Sequence, residues 1–505
     1  MNLILTILLS VLICIILLWV RRRKRKMTLF QRYGIPGPEP NFFYGNLKEF
    51  NKGRDKCIEK WLQQYGKIFG FFLGAKPYLV CADVEVLKCC QIKDKYNFYN
   101  KDWVLPDAGF PHDVSRKMLP LLTDQKWRNL RSTLTTCFTT GKIKLMSALM
   151  CRPIKIFLSK LDKQEAPFNV VNLCKKLVFD IICTTAFGIT TNVQNNQSSK
   201  FVESAHAAFL VDSTDILAGI TICFPEVEPV CSFIRYKIDT LKYVLNLPCF
   251  TVIYETCKKM AISRKKSDQH PHDLLQAIID AEDENGGEVK KLSDNLVIGN
   301  AMMFMAVGYD TTSTTLEWSI YHLARNPHIQ EKIREEIKMN VCDDVEIQYS
   351  DLCKFQLLNQ VISETLRLWP LSFFFIIHRV SNRVCADDYH CKDFIIPKGS
   401  ILAVPVQVLQ KDPAYWSEPD KFNPYRFSSE KQKPIDSIVY QPFGAGHRIC
   451  IGQRLAKTIL ILTLSNLLRS FKLEFCGDDK MEILHTLFMN YPKNGIIIKA
   501  HPLNS

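Results

Sequence analysis

The chain has 505 residues, 47% of them hydrophobic, so it can bury a large core. No internal repeat or low-complexity linker divides it, and one large folded unit is a simpler reading than two or three domains. The formal charge of +14 takes six units from a single run at 21–26, leaving about +8, and no base-stacking motif is interleaved with the basic residues, which excludes a nucleic-acid module.

Nineteen cysteines with no C-x-x-C pair, and only Cys89-Cys90 close together, argue against a disulfide framework. They point to a reducing, cytosol-facing compartment, most of them, like Cys183, reading as small buried hydrophobes.

Residues 2–20 carry no charge, and these nineteen residues span roughly 28 Å as a helix, close to the hydrocarbon thickness of a bilayer. Arg21, Arg22, Arg23, Lys24, Arg25 and Lys26 follow this run, the reverse of a cleaved signal peptide. Residues 1–20 are therefore expected to form a transmembrane signal-anchor with the N-terminus outside or lumenal and the rest cytosolic. Residues 21–41 read as a basic stop-transfer and a proline-rich hinge, stiff and non-helical over 34–40.

Residues 65–81 read as a β-hairpin turning near Gly74. Apolar residues at helical spacing predict helices over 126–137, 167–187 and 199–216. The longest runs over 293–325, with Ser293 as N-cap and Asn326-Pro327 as the stop, and spans roughly 50 Å. Short strands are expected near 394–396, 401–406 and 496–498, making the chain mainly α with small β-sheets.

Four patterns on these elements carry chemistry. Trp127 and Arg131 stand at i and i+4, on one helix face. Gly308, Asp310, Thr311 and Thr312 interrupt the longest helix with poor helix formers, so function overrides propensity there. Glu364 and Arg367 stand at i and i+3 in an apolar stretch that ends in Trp369-Pro370. Cys450 lies between Gly446 and Gly452, beside Arg448, just before an apolar helical segment. The glycines let a flat cofactor approach the backbone, and free amides at the following helix start stabilise a thiolate. Such a thiolate suits an axial position on haem iron.

The run from Phe443 to Gly452 fits F-x-x-G-x-R-x-C-x-G, which resembles the signature of the cytochrome P-450 monooxygenases. The likeness covers nearly the whole chain and is nearest to the animal microsomal branch of the drug-metabolising "3" family. It implies the cytochrome P-450 fold behind a single N-terminal transmembrane helix, with 42–505 as a cytosolic haem-thiolate catalytic domain. It implies haem b (iron protoporphyrin IX), with Cys450 as the metal ligand and Phe443, Gly446 and Gly452 shaping its loop. Trp127, Arg131, Arg448 and Arg379 would meet the haem propionates. Asp310 would relay protons and Thr311 would open the helix around a water and hydrogen-bond dioxygen at the haem. Glu364 and Arg367 would lock the core together with Arg426.

Two departures from the family pattern are Val307, where a smaller residue is usual, and Tyr425, where an acid is usual. By the same likeness, substrate contacts would come from 97–118, 209–250, Phe304 with Met305, and 373–377. The uncharged segment 216–224 would dip into lipid.

The leading expectation is thus insertion of one oxygen atom from O2 into a lipophilic substrate, a xenobiotic, steroid or fatty acid. Electrons would come from NADPH through NADPH-cytochrome P-450 reductase, with cytochrome b5 as a further candidate donor, at the endoplasmic reticulum membrane. The alternatives are a reductase-independent isomerase or dehydratase of lipid peroxides and a non-catalytic haem binder. The presence of both Asp310 and Thr311 weighs against each.

Overall fold

The computed structural model describes residues 2–102, 114, 116–195, 200–207, 215–267, 271, 273–285, 288–371, 380–428, 435–478, 481–485 and 490–503. A helix over Asn2–Met27 opens the chain, and its first nineteen residues are uncharged around the whole circumference. An 18-residue window within Leu3–Met27 has a mean hydropathy of 3.2, and the helix is long and apolar enough to cross a membrane. The basic run continues this helix rather than starting the hinge, and Lys24, Arg25 and Lys26 complement the dipole in its last turn. Arg23 turns inward and donates to the carbonyls of Phe42 (3.0 Å) and Phe43 (2.7 Å). Trp19 donates to Glu226 at 3.1 Å and stacks on Phe224, so the end of the anchor is fastened to the body.

The expected hairpin forms from Ile68–Leu73 and Lys76–Cys81, paired antiparallel. Gly74 turns it at φ +59°, and a Cβ there would lie 2.3 Å from the Ile222 carbonyl oxygen, so only glycine fits. Lys76–Cys81 pairs in parallel with Ile401–Pro405, which pairs antiparallel with Val380–Val384, completing a four-stranded sheet. A second sheet joins Phe471–Phe475, Ile497–Pro502 and the short strand Phe168–Asn169. That last strand occupies the start of the predicted helix 167–187, which begins only at Val171. Pro167 and the pairing of Phe168 with Ile498 hold the segment extended.

The long helix runs Asp294–Arg325 and is buried on most of its surface. Ser293 takes extended N-cap angles, but its hydroxyl makes no cap bond, contrary to the sequence reading. The helix Val171–Phe187 packs beside it, the helix Gln453–Ser470 crosses it, and Gln356–Leu368 lies against its second half.

Behind these helices, Glu364 and Arg367 are fully buried and joined by two bonds, 2.6 and 2.8 Å. Arg426 adds a third at 3.3 Å, the Asn423 amide a fourth at 2.9 Å, and Arg367 also donates to the Gln410 carbonyl at 2.8 Å. Tyr425 itself is exposed and makes no part of this network. A dry charge pair is tolerable only when every valence is met, and removing one partner strands the other. Arg367→Ala is therefore expected to lower unfolding stability by roughly 3–5 kcal/mol, read as a reduced urea midpoint, with Lys a poor substitute for the forked guanidinium.

Candidate functional site

The loop 441–452 is folded on itself by short backbone bonds. Gly444 donates to the Gln441 carbonyl and Cys450 to the Phe443 carbonyl, both at 2.9 Å. Gly444 and Gly446 take φ of +76° and +68°, and a Cβ on Gly446 would lie 2.2 Å from the Gln91 carbonyl oxygen. The loop must therefore carry glycine at 446 to seat against the body. The helix Gln453–Ser470 begins three residues after Cys450, and the amides of Gly452 and Gln453 face its sulfur. Cys450 has a large free surface, but that surface is the wall of an internal cavity. Burial accordingly raises its thiol pKa, while the Gly452 and Gln453 amides, Arg131 and Lys101 pull it back toward the thiolate.

The cavity, of about 280 Å³, is a slot between this loop and the long helix. The helix contributes Met303, Phe304, Val307, Gly308 and Thr311, and Val307 and Thr311 lie one above the other at i and i+4. The Thr311 hydroxyl donates back to the Val307 carbonyl at 2.7 Å, and the helix continues unbroken through it. Asp310, a residue earlier and so about 100° around the helix, does not line the slot. It is fully buried on the far side, where the Tyr491 hydroxyl donates to it.

One end of the slot is cationic. Trp127 and Arg131 project from one face of the helix Asp124–Thr135, and Arg448 and Lys101 join them. The Arg448 guanidinium lies 3.9 Å above the Trp127 ring and donates to the carbonyls of Tyr99 and Leu122, both at 3.1 Å. Its Nη1 is buried without a partner. Burial, with Arg383 and Arg131 adding repulsion, brings the Arg448 pKa down to about 9. Lys101 is lowered as well, first by burial and then by Arg383, Arg448 and Arg131. Among the described lining residues there is no carboxylate. His447 stacks on Tyr99 at 4.8 Å, and burial lowers its pKa to about 4, leaving it neutral so that it adds no positive charge beside the arginines.

With no carboxylate among the described lining residues and one Arg448 guanidinium nitrogen buried without a partner, the Arg131 and Arg448 end favours an anionic occupant. A mostly apolar space lined by a thiol, an indole and cationic side chains suits a dicarboxylate porphyrin. The structure thus brings Cys450, Phe443, Gly452, Trp127, Arg131, Arg448 and Thr311 together around one space. Gly446 acts from behind the loop, and Arg379, with 373–377, lies outside the described residues. Lys101 and Arg383 were missed because a cation in a polar loop and one in a strand look like surface charges. Arg383 is fully buried and donates to the Ala445 carbonyl at 2.9 Å, tying the sheet to the cysteine loop.

The sequence profile of the cytochrome P450 family matches residues 35–498. The chain is 31% identical to cytochrome P450 3A18 of Rattus norvegicus over 452 residues, 89% of this chain and 88% of that protein. It is 32% identical to cytochrome P450 3A31 of Mesocricetus auratus over 499 residues, 97% and 95% of the two chains. To cytochrome P450 3A5 of Homo sapiens it is 30% identical over 481 residues, 94% and 92%.

A bond from one of these cations to a haem carboxylate at the slot's edge would be worth about 1.5–3 kcal/mol. Arg131→Met, Arg448→Met and Lys101→Met are each expected to weaken haem retention by roughly ten- to hundredfold, followed as transfer of haem to a scavenger protein. Unchanged retention in all three would mean that no carboxylate sits at that edge.

Proposed function

The chain belongs to the cytochrome P450 family and is a haem-thiolate monooxygenase; we propose that it oxidises a lipophilic substrate taken from a membrane. The haem is proposed to be haem b, with Cys450 as its iron ligand and Lys101, Trp127, Arg131 and Arg448 holding its propionates. When bound, it supplies the activation of O2 and the transfer of one oxygen atom to a C–H bond. The protein supplies position, dryness and protons.

The observation that carries this reading is the pairing of Thr311 and Cys450 as walls of one slot. The Thr311 hydroxyl, resting on the Val307 carbonyl, needs only a turn about χ1 to present its proton to the slot. Asp310 would supply that proton through a water or by rotating off Tyr491. Val307 narrows the space over the haem, and the apolar side chains of Met303, Phe304 and Leu371 exclude water and favour an apolar substrate.

The membrane reading rests on the surface around 216–247. Ile216 is 75% exposed, but the larger apolar face belongs to the helix Glu228–Val244 and the residue after it, where Val230, Phe233, Leu241, Val244 and Leu245 are each more than half exposed. Together with the anchor, these would sit at the acyl boundary of the endoplasmic reticulum membrane, orienting residues 42–505 on its cytosolic face. Electrons would come from NADPH through NADPH-cytochrome P-450 reductase, with cytochrome b5 as a second donor.

The dithionite-reduced protein with carbon monoxide is expected to show a strongly red-shifted Soret band that Cys450→Ala abolishes. In the same preparation Thr311→Ala should keep the band but yield about tenfold or less product per NADPH. A wild-type band typical of histidine ligation would overturn the reading. For the membrane face, Val230→Asp with Phe233→Asp in the protein lacking residues 1–27 should weaken vesicle binding by tenfold or more, since each apolar side chain buried is worth about 1.5–3 kcal/mol.

A further inference from the structure

A surface groove beside the anchor plays no part in the oxidation chemistry. It has a volume of about 610 Å³ and lies between the loop 39–46, the short helix Leu47–Phe50 and the helix Arg54–Tyr65. It shares no lining residue with the slot beside Cys450.

The walls of the groove are basic. Lys48, Lys52, Lys56 and Lys60 line it against the carboxylates of Glu39 and Glu49, and four lysines less two acids leave an excess of two positive charges. Lys60 is paired with Glu49 at 3.0 Å, so those two offset one another. Lys48, Lys52 and Lys56 are exposed and, among the described residues, meet no carboxylate. The lysines recur at every fourth position, a spacing at which like charges on a helix repel, and an anion between them removes that cost.

The helix Arg54–Tyr65 starts in the same groove. Its N-cap, Gly53, lines the groove and offers no side chain to the amides of the first turn. A Cβ on Gly53 would meet nothing within 4 Å, so the space in front of the helix is open. The positive end of the helix dipole therefore adds to the field of the lysines.

The groove also lies at a definite depth. Arg23 is the third residue after the uncharged span, about 4.5 Å further along the helix axis. It donates to the Phe42 and Phe43 carbonyls, and Trp19 meets the Phe42 ring edge-on at 5.8 Å. Phe43 is 55% exposed, and Tyr44, the next residue, lines the groove. One wall thus begins a single residue from the anchor, at the level of lipid headgroups. That wall is built firmly: Asn46 donates to the Glu39 carbonyl at 3.0 Å and accepts from the Phe72 amide at 2.9 Å.

We infer that the groove binds the headgroup of an anionic phospholipid of the cytosolic leaflet. Its phosphate sits among Lys48, Lys52, Lys56 and the start of the helix Arg54–Tyr65, with its acyl chains in the bilayer beside Phe43. This rests on the reading of residues 2–20 as a membrane span. The occupant is a lipid because the groove opens next to the anchor, where anionic headgroups are held at high local concentration. A phosphatidylserine headgroup matches the charges: its phosphate and carboxylate meet the lysines, and its ammonium meets Glu39. Trp19 contacts both Phe42 and Phe224, so the groove's loop and the apolar helices reach the same end of the anchor.

The test uses the full-length holoenzyme in vesicles of phosphatidylcholine alone or of equal parts phosphatidylcholine and phosphatidylserine. Lysine acylation by a water-soluble reagent is read residue by residue by mass spectrometry. It should fall roughly fivefold at Lys48, Lys52 and Lys56 in the mixed vesicles, and stay unchanged at the exposed Lys338 of the helix Pro327–Asn340. Equal labelling in both kinds of vesicle overturns the proposal. Because one headgroup joins the three lysines, Lys52→Gln should also lift the protection of Lys48 and Lys56. Protection that persists there would mean separate surface charges and overturns the proposal equally. Inorganic phosphate, added to the neutral vesicles at the concentration of the lipid, should leave the labelling unchanged. Protection equal to that by phosphatidylserine would assign the groove to a soluble anion and overturn the lipid reading. Protein that floats with neither kind of vesicle would sink the membrane span and the groove together, whereas floating with both while the lysines stay unprotected sinks the groove alone.

Discussion

The position of Cys450 depends on a charge pair that never touches it. Arg367, bonded to Glu364, donates to the Gln410 carbonyl, and the Gln410 side chain in turn accepts from the Gln441 amide at 3.2 Å. Gln441 opens the loop whose Phe443 carbonyl receives the Cys450 amide. The Gln410 amide group also donates to the carbonyls of Leu366 and Arg367, at 3.0 and 3.1 Å, closing the circuit on the helix end. Because the ions cannot be left half-satisfied in a dry core, they tolerate only one geometry, and the hydrogen bonds hand that geometry on. Tyr440, donating to the Ser363 carbonyl at 2.9 Å, gives the loop a second tie to the same helix.

Around the slot, charge is segregated by helix geometry. Successive residues of the long helix point about 100° apart, so Thr311 lines the cavity with the cations and the thiol while Asp310 turns off it to Tyr491. Cations gather where a dianionic cofactor would sit, and acids gather behind the helix, where they meet Lys175 rather than Arg448. An Asp310 lining the slot would have offered Arg131 and Lys101 a carboxylate and offset their charge. One helix thus separates the cation-lined cavity from the buried acids.

Legibility in the sequence followed the range of the interaction. The cysteine loop, the Trp127–Arg131 pair and the Glu364–Arg367 pair are local patterns, each decided within ten residues, and they could be read before any fold was known. The helices and the hairpin were readable for the same reason, since periodicity is local. Partners set by tertiary packing were not. Tyr491 reaches Asp310 across 181 positions, and nothing in Asn490-Tyr491-Pro492 announces a bond to an acid. Arg383 lies in a strand whose buried side is known only once Ile401–Pro405 pairs with it. Phe168 follows a helix-like pattern, yet pairing with Ile498 overrides it. The helix Glu228–Val244 has apolar residues on both sides, so its pattern could not say which of them would stay exposed.

The anchor constrains the body more tightly than a flexible tether would. A stiff 34–40 segment alone would leave the domain free to swing, but the helix end is held at three places. Trp19 bonds Glu226 and stacks on Phe224, Arg23 bonds the Phe42 and Phe43 carbonyls, and Phe30 packs beneath Phe72 in the hairpin. The hairpin turn then touches the next element of the proposed membrane face, Ala75 donating to the Ile222 carbonyl at 2.9 Å. Anchor, hairpin and apolar helices are therefore tied to one another by direct contacts. A lipid-facing orientation of the first fixes that of the last, and with it the side from which an apolar substrate would reach the slot.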